Sequence, residues 1–165
     1  MAKRLSPDLR PTTAKVREAL INIWRAPLQG ATFLDLCTGT GAVALAARQA
    51  GARLVVAVDS SAKAIRALAP YANREHFIVL QGRLPGCLQR LQTAFDLIYF
   101  DPPYASGLYR PVLEGILTYQ LLAPDGEMAV EHHRQVPLPE HVQYLVRTRQ
   151  KTYGDTVLSF YRLAD

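Results

Sequence analysis

A four-residue motif at positions 101–104, with the sequence Asp-Pro-Pro-Tyr, directly follows an apolar segment at 95–100. Each proline fixes its φ angle at about −65° and removes one backbone N–H donor, so the motif forms a rigid rim of hydrogen-bond acceptors. The acceptors are the Asp101 carboxylate and the Pro102 carbonyl, and the Tyr104 ring follows them. This arrangement suits a planar base with an exocyclic amine, because each acceptor takes one amine hydrogen while the tyrosine stacks on the base.

An aryl amine needs this help because its lone pair is delocalised into the ring and is a poor nucleophile. Acceptance of both N–H hydrogens moves the nitrogen toward sp³ geometry and frees the lone pair to attack an electrophilic methyl group. Positioning and electrostatics supply most of the catalysis in such a site. A base within folded nucleic acid must be extruded to reach it. We therefore predict that Asp101, Pro102, Pro103 and Tyr104 are catalytic, the alternative for the motif alone being a plain turn after a strand.

A glycine-rich segment at positions 35–41, with the sequence DLCTGTG, joins an apolar run to an alanine-rich one. Glycines let the backbone turn tightly and approach a ligand closely, and the start of the following helix offers unpaired N–H groups. Eighteen residues beyond Gly41, Asp59 ends the next apolar run, where its carboxylate can accept both hydroxyls of a ribose. These features together predict a site for a cofactor that contains a ribose.

Two cofactors fit the glycine-rich segment. Gly39, Gly41 and Ala44 satisfy the dinucleotide pattern G-x-G-x-x-G/A. S-adenosylmethionine has a ribose but no phosphate, and Asp35 suits its methionyl ammonium, whereas the same carboxylate would repel a pyrophosphate. We therefore predict S-adenosylmethionine, with a ligand-free turn as the structural alternative. The predicted cofactor-binding residues from these two motifs are Asp35, Cys37, Thr38, Gly39, Gly41, Asp59, Ser60 and Asp101.

The segments around these motifs alternate between predicted strands and predicted helices. Strands are expected at 31–36, 54–58, 77–80, 95–100 and 127–131, and helices at 41–50, 60–69, 84–91 and 108–122. An antiparallel pair is expected at 142–148 and 156–163. Such alternation is typical of a doubly wound, Rossmann-like α/β fold, here with seven strands in a mainly parallel sheet. Ligands of such sheets bind at the carboxyl ends of the strands, where both motifs lie.

The composition favours a single domain over residues 1–165 that meets an anionic partner. The chain has 19 Lys and Arg against 14 Asp and Glu, a net charge of +5, and its two cysteines favour a reducing cytoplasm over a disulfide framework. Six of the basic residues and only two acids fall within residues 1–30, a basic extension and first helix that precede the 31–165 core. This asymmetry favours nucleic acid as the partner, although a solvated helix face is the alternative. No apolar run reaches the roughly 18 residues that a membrane span needs.

With these motifs in view, the sequence resembles the bacterial small-subunit (16S) rRNA guanine-N2 methyltransferases. The matching blocks are RPTTAKVREAL at 10–20, LDLCTGTGA at 34–42 and FDLIYFDPPY at 95–104, together with Glu131 and YGDT at 153–156. The resemblance implies a class I methyltransferase fold and methylation of the N2 amine of one loop guanine in small-subunit rRNA. It also implies that the block around Arg10 flanks the active site.

The sequence departs from the family pattern in three places. Only Lys3-Arg4-Leu5 remains of a longer basic N-terminal hairpin. The acid that usually follows strand three and accepts from the adenine amine is absent from the segment LQGRL at 80–84, so Gln81 or a backbone carbonyl near Gly82 takes its place among the predicted cofactor-binding residues. Thr38 and Thr40 replace small residues of the glycine loop, a mild change.

The resemblance and the charge together predict an RNA-binding segment at the start of the chain. The expected partner is small-subunit rRNA, within an assembling 30S particle, and the chain is expected to act as a monomer without a metal. Two other functions stay open: an adenine-N6 methyltransferase acting on DNA or RNA, and a non-catalytic RNA-binding or assembly protein that retains the fold. The predicted RNA-binding residues are Lys3, Arg4, Arg10, Thr12, Thr13, Lys15 and Arg17.

Overall fold

A computed structural model describes residues 13–165, which form one eight-stranded sheet with helices on both faces. The helices are α1 Thr13–Ile23, α2 Ala42–Gln49, α3 Ala62–Leu68 and α4 Tyr109–Thr118, with short 3-10 helices at Ala69–Tyr71 and Gly86–Arg90. The strands are β1 Thr32–Leu36, β2 Leu54–Asp59, β3 Phe77–Gln81, β4 Phe95–Phe100, β5 Leu122–His133, β6 His141–Val142, β7 Leu145–Tyr153 and β8 Thr156–Leu163.

The sheet has the order β3-β2-β1-β4-β5-β8-β7-β6, and its first five strands in this order are parallel. Strands β8, β7 and β6 are each antiparallel to the preceding neighbour. The chain order reverses between β1 and β4, since the strands from β1 to β3 lie on one side of this junction and β4 on the other. Such a reversal opens a crevice at the carboxyl ends of the two strands, where ligands of doubly wound sheets bind. The predicted fold class is therefore confirmed.

Two apolar clusters, one on each face of the sheet, hold the layers together. The alternation within β1 divides its side chains: Leu34 and Leu36 face α4, while Phe33 faces α1 and α2. Period-two alternation is what a strand buried on both faces requires. Asp35 therefore projects from the same face as Phe33, toward the first two helices.

Helix α1 is anchored to the sheet at its carboxyl end by Trp24. The buried indole Nε1 donates to Glu127 Oε1 at 2.8 Å, and its ring meets the edges of Phe33 and Phe160 at centroid distances of 6.0 and 6.1 Å. Two guanidinium groups compensate the buried carboxylate, from Arg149 at 3.0 Å and Arg162 at 3.2 Å. Glu127 pairs with Leu97 near the start of β4, so the carboxyl end of α1 is anchored near the amino ends of the parallel strands.

The structure corrects the predicted number and lengths of the elements. Eight strands are present over residues 13–165 rather than seven, because the predicted strand at 142–148 is divided by a turn in which Gln143 has a positive φ of 52°. The helix predicted at 84–91 is only the 3-10 turn Gly86–Arg90. Helix α4 ends at Thr118 rather than 122, since Gln120 adopts a φ of 52°, and β5 begins at Leu122.

Candidate functional site

Three predicted carboxylates lie at the ends of three neighbouring strands. Leu36 of β1 is in register with Val58 of β2 and with Phe100 of β4, so Asp59 and Asp101 emerge at the same edge of the sheet. Burial is the main cause that raises the pKa of Asp35, and the charges of Asp101 and Asp59 raise it further, so the three acids lie close together. This edge therefore carries a negative field that favours a cationic ligand and disfavours a phosphate.

Asp35 is the most buried of the three acids, with only 1% of its surface exposed. Its Oδ2 accepts a hydrogen bond from Thr38 Oγ1 at 2.8 Å, and its Oδ1 has no hydrogen-bond partner among residues 13–165. Burial raises its pKa from 3.8 to about 8, and the Thr38 hydroxyl and the nearby Ala44 N–H lower the pKa only in part. A buried carboxylate oxygen of this kind is stabilised when a cation comes beside it.

The Asp59 carboxylate fixes the conformation of the glycine loop. The Gly39 N–H donates to Asp59 Oδ2 at 2.8 Å, and the Ser61 N–H donates to Oδ1 at 2.9 Å. Gly41 begins α2 with a φ of 78°, and a Cβ at this position would lie 2.3 Å from Cδ2 of Leu68. Only glycine satisfies both the left-handed backbone and this close approach.

A cavity of about 270 Å³ opens beside the glycine loop. Apolar side chains from Val58, Leu84 and Leu108 and the thiol of Cys37 form most of its wall, and the Asp59 carboxylate lies at its side. A flat heteroaromatic ring fits between apolar walls, and a carboxylate beside it suits sugar hydroxyls. The lining residues are Cys37, Val58, Asp59, Ser60, Gly82, Arg83, Leu84 and Leu108.

The cavity includes some predicted cofactor residues and adds others. Gln81 does not line it, because its side-chain amide donates to the Ser60 carbonyl at 3.3 Å while its own carbonyl accepts from Arg90 at 2.9 Å. Leu84 and Leu108 escaped the sequence reasoning because a leucine in a loop has no pattern that marks it as a ligand contact. Gly82 is required here, since a Cβ would lie 2.5 Å from Cβ of Cys87.

Cys37 is a protonated thiol rather than a nucleophile. Burial, followed by the charges of Asp59, Asp101 and Asp35, raises the pKa of its thiol to about 12. Thiolate is the reactive form of cysteine, and almost none exists at neutral pH under these conditions. Cys37 therefore contributes a protonated thiol to the lining of the cavity.

The predicted catalytic motif forms a tight turn after β4. Pro102 is buried and Pro103 is exposed, and the Pro103 carbonyl accepts from the Ser106 N–H at 3.1 Å. Asp101 is partly exposed at the strand end. The Tyr104 ring is 48% exposed, and its edge-to-face contact with the His133 ring has a centroid distance of 5.7 Å. The motif thus presents an accessible carboxylate and an accessible ring side by side in the chain.

A second acid, Glu131, lies behind this motif on β5. The buried Tyr99 hydroxyl donates to Glu131 Oε1 at 2.7 Å. Tyr99 is in register with Asp35 on β1, so this hydrogen bond joins the ends of β4 and β5 on the face that carries Asp35. Burial and the surrounding acids raise the pKa of Tyr99, which keeps its phenol protonated and able to donate.

The predicted RNA-binding residues are described only in part. Lys3, Arg4, Arg10 and Thr12 lie outside residues 13–165, and of Thr13 only the backbone belongs to the described part. Lys15 is exposed on α1. Arg17 lines a groove of about 440 Å³ between α1 and α2, together with Arg25.

His132, next to Glu131, serves the fold. His132 Nε2 lies 2.7 Å from Ser159 Oγ, and its Nδ1 faces the carbonyls of His133 and Val136. Burial lowers its pKa, so the ring is neutral. Within residues 13–165, no group of three or more His, Cys, Asp or Glu side chains is placed to hold a metal ion. None of the helices described in this range has the length and apolar character needed to cross a bilayer.

Comparisons with known proteins agree with this geometry. Residues 2–162 match the model of the family described as "Conserved hypothetical protein 95". "Putative rRNA methyltransferase YlbH" of Bacillus subtilis (strain 168) is 35% identical over 160 residues, covering 93% of this chain and 87% of that protein. "Ribosomal RNA small subunit methyltransferase D" of Escherichia coli (strain K12) is 30% identical over 162 residues, covering 95% and 81%. The solved structure of "Putative methyltransferase yhhF from Escherichia coli" has a TM-score of 0.82 at 25% identity, covering 96% and 90%.

Proposed function

The chain belongs to the family described as "Conserved hypothetical protein 95", and from this premise we propose that it methylates the N2 amine of a guanine in small-subunit rRNA with S-adenosylmethionine as methyl donor. The names of the two curated relatives support a methyltransferase that acts on rRNA. The choice of donor and of target atom rests on the site. The observation that carries it is the convergence of Asp35, Asp59 and Asp101 at the reversal of strand order.

The residues present fit S-adenosylmethionine. The buried Oδ1 of Asp35, which has no hydrogen-bond partner among residues 13–165, suits the methionyl ammonium, and the negative field of Asp59 and Asp101 favours a ligand with two positive centres. The cavity beside Asp59 supplies apolar walls for adenine and a carboxylate for the ribose. When bound, S-adenosylmethionine supplies an electrophilic methyl group on a sulfonium. Asp35 and Asp59 hold and orient it, and the glycine loop that Asp59 fixes lets the backbone approach closely.

The target amine is held by the motif at 101–104. The Asp101 carboxylate and the Pro102 carbonyl each accept one amine hydrogen, and Tyr104 stacks on the base. A carboxylate that accepts an N–H raises electron density on the nitrogen and fixes its lone pair in one direction. After transfer the amine has become acidic, and the Asp101 carboxylate is placed to receive its proton.

The basic start of the chain binds the phosphates of the RNA backbone and does not recognise the RNA sequence. Lys15 and Arg17 extend this RNA-binding surface onto α1, whose carboxyl end Trp24 anchors to the sheet. Contacts to phosphates position a nucleic acid, whereas the base in the site specifies the reaction. We place the whole chain, residues 1–165, in one domain that acts as a monomer on assembling 30S particles in the cytoplasm.

Mass spectrometry of rRNA nucleosides tests the proposal. A strain that lacks the gene should lose N2-methylguanosine at one small-subunit position, and the purified protein with labelled S-adenosylmethionine should restore it. Unchanged N2-methylguanosine with altered N6-methyladenine would assign the chain to adenine instead. Retained RNA binding without any methyl transfer would identify a non-catalytic assembly protein.

A further inference from the structure

We infer that His133 is a positioning residue, which holds the Tyr104 ring in the orientation needed to stack on the target base. The inference rests on the proposed function, since that function gives Tyr104 its stacking role. It extends the site from the motif at 101–104 to the turn between β7 and β8. That turn has the sequence YGDT at 153–156 and lies far from the cofactor residues in the chain.

The contact between the two rings is specific in geometry. Their centroids are 5.7 Å apart and their planes meet at 75°, an edge-to-face arrangement. Such pairs are favoured because the positive edge of one ring meets the negative face of the other. Tyr104 is 48% exposed, so much of its surface faces solvent and the His133 contact restricts where its ring can lie. A base that stacks on Tyr104 depends on this restriction, because stacking requires one fixed plane.

His133 is itself fixed from two sides. Its Nδ1 accepts a hydrogen bond from the Gln135 N–H at 3.1 Å, so in the neutral ring the proton is on Nε2. That Nε2 faces Asp155 Oδ2 at 4.0 Å. The side chain is 26% exposed, which leaves the ring accessible at the edge of the site while its orientation is determined by protein groups.

Asp155 is fixed in turn by the residue after His133. The Arg134 side chain pairs with Asp155 Oδ1 at 3.1 Å, and the Arg134 N–H donates to the Asp155 carbonyl at 2.8 Å. Gly154 adopts a φ of 60°, which makes the tight turn that brings Asp155 back over the end of β5. The YGDT block therefore supports His133 directly, and through His133 it supports Tyr104.

The first test compares three variants in methyl transfer to RNA. His133→Ala removes the ring contact, and kcat should fall about threefold to tenfold, the range expected for one edge-to-face pair. KM for RNA and Kd for S-adenosylmethionine should stay unchanged, because phosphate and cofactor contacts are untouched. His133→Phe keeps a ring edge toward Tyr104 and should recover most of the loss. His141→Ala, an exposed histidine on the outermost strand β6, is the matched control and should behave as wild type.

A double-mutant cycle separates positioning from a general structural role. In a Tyr104→Ala background, His133→Ala should cause no further loss of kcat, because the ring that it positions is absent. An equal loss in both backgrounds would overturn the inference, as would a His133→Phe variant as slow as His133→Ala.

Proton NMR of the Tyr104 ring provides a readout without RNA. The resonances should shift and lose their dispersion in His133→Ala, and should remain dispersed in His133→Phe. Unchanged resonances in His133→Ala would overturn the inference even if methylation is observed. Absence of rRNA methylation by the wild-type protein would instead refute the proposed function, and the NMR comparison would still decide whether His133 orients Tyr104.

Discussion

The Asp59 carboxylate and the Gly39 backbone are joined by a hydrogen bond of 2.8 Å that fixes the tip of the glycine loop to the end of β2. The second carboxylate oxygen accepts from the Ser61 N–H, so Asp59 bridges two backbone segments on either side of the cavity. Each oxygen retains a second lone pair. The same side chain can therefore shape the loop and accept a hydroxyl of a ribose.

Replacement of Asp59 by alanine should weaken S-adenosylmethionine binding by about tenfold to a hundredfold, as expected for the loss of charged hydrogen bonds. Calorimetric titration measures the change. The control is Asp125→Ala, which removes an exposed acid from the distant start of β5. Equal affinities in the two variants would contradict the role of Asp59.

Gly41→Ala should destabilise the fold far more than Gly39→Ala. Both positions have a positive φ, so each alanine costs about 1–2 kcal/mol of backbone strain. The added Cβ at Gly41 would also lie 2.3 Å from Leu68, which is buried in the core and must shift, whereas at Gly39 nothing lies within 4 Å. Urea unfolding of both variants checks the difference. Similar losses of unfolding free energy in the two variants would show that the Leu68 side chain can move away from the added Cβ at little energetic cost.

The buried Asp35 should make stability fall as pH rises. Its pKa is raised to about 8 in the folded chain, while in the unfolded chain it is near 3.8, so folding takes up a proton between these values. The stabilising contribution is complete below about pH 4 and is lost as pH rises through about 8. The asparagine in Asp35→Asn cannot ionise, so this variant should lose this dependence of stability on pH. Denaturant unfolding at several pH values from about 5 to 9 measures the free energy of unfolding of both proteins. The same dependence on pH in Asp35→Asn and in the wild type would refute the prediction.

Asp101→Ala should abolish methyl transfer while leaving the Kd for S-adenosylmethionine within several-fold of wild type. The carboxylate accepts from the target amine, and Asp101 is not among the residues that line the proposed cofactor cavity. Single-turnover transfer and cofactor titration measure the two effects separately. Asp125→Ala, which removes an exposed acid near the distant start of β5, is the control and should retain activity. Survival of transfer in Asp101→Ala would refute amine activation by this carboxylate.

Neutralisation of Lys3, Arg4, Lys15 and Arg17 should weaken RNA binding and flatten its salt dependence. The slope of log Kobs against log salt should decrease by about 0.7 to 0.9 for each cation that contacts a phosphate. Filter binding over a salt series measures it. Arg53→Gln with Arg74→Gln, at exposed positions near the starts of β2 and β3, is the control at the opposite edge of the sheet. An equal loss of affinity for S-adenosylmethionine in the neutralised variant would contradict an RNA-binding segment that is separate from the cofactor site.

The convergence of the three acids could be predicted from the sequence, because ends of neighbouring parallel strands must meet at one edge. Asp35, Asp59 and Asp101 each follow an apolar run, and that pattern is local. The division of the predicted strand at 142–148 could not be predicted, since Gln143 is not a residue type that marks a left-handed turn. Its backbone conformation is imposed by pairing of β6 with β7.

The supporting contacts of the site could not be predicted for a related reason. Leu108 meets Val58 across the cavity although fifty residues separate them, and Asp155 meets His133 only because β8 pairs with β5. Sequence patterns predict whether a segment forms a strand, a helix or a turn. They do not predict which distant residue a side chain contacts, because that contact depends on the order of the strands in the sheet.

The anchoring of Trp24 determines when during synthesis the first helix can dock. Trp24, at the end of helix α1, is made 103 residues before its partner Glu127, and Arg149, Phe160 and Arg162 follow later still. Until then neither the indole N–H nor the buried carboxylate has its full set of partners. The helix that carries Lys15 and Arg17 therefore reaches its final place only after residues 127–162 have been made, so a chain truncated before Glu127 leaves the indole of Trp24 without its hydrogen-bond partner.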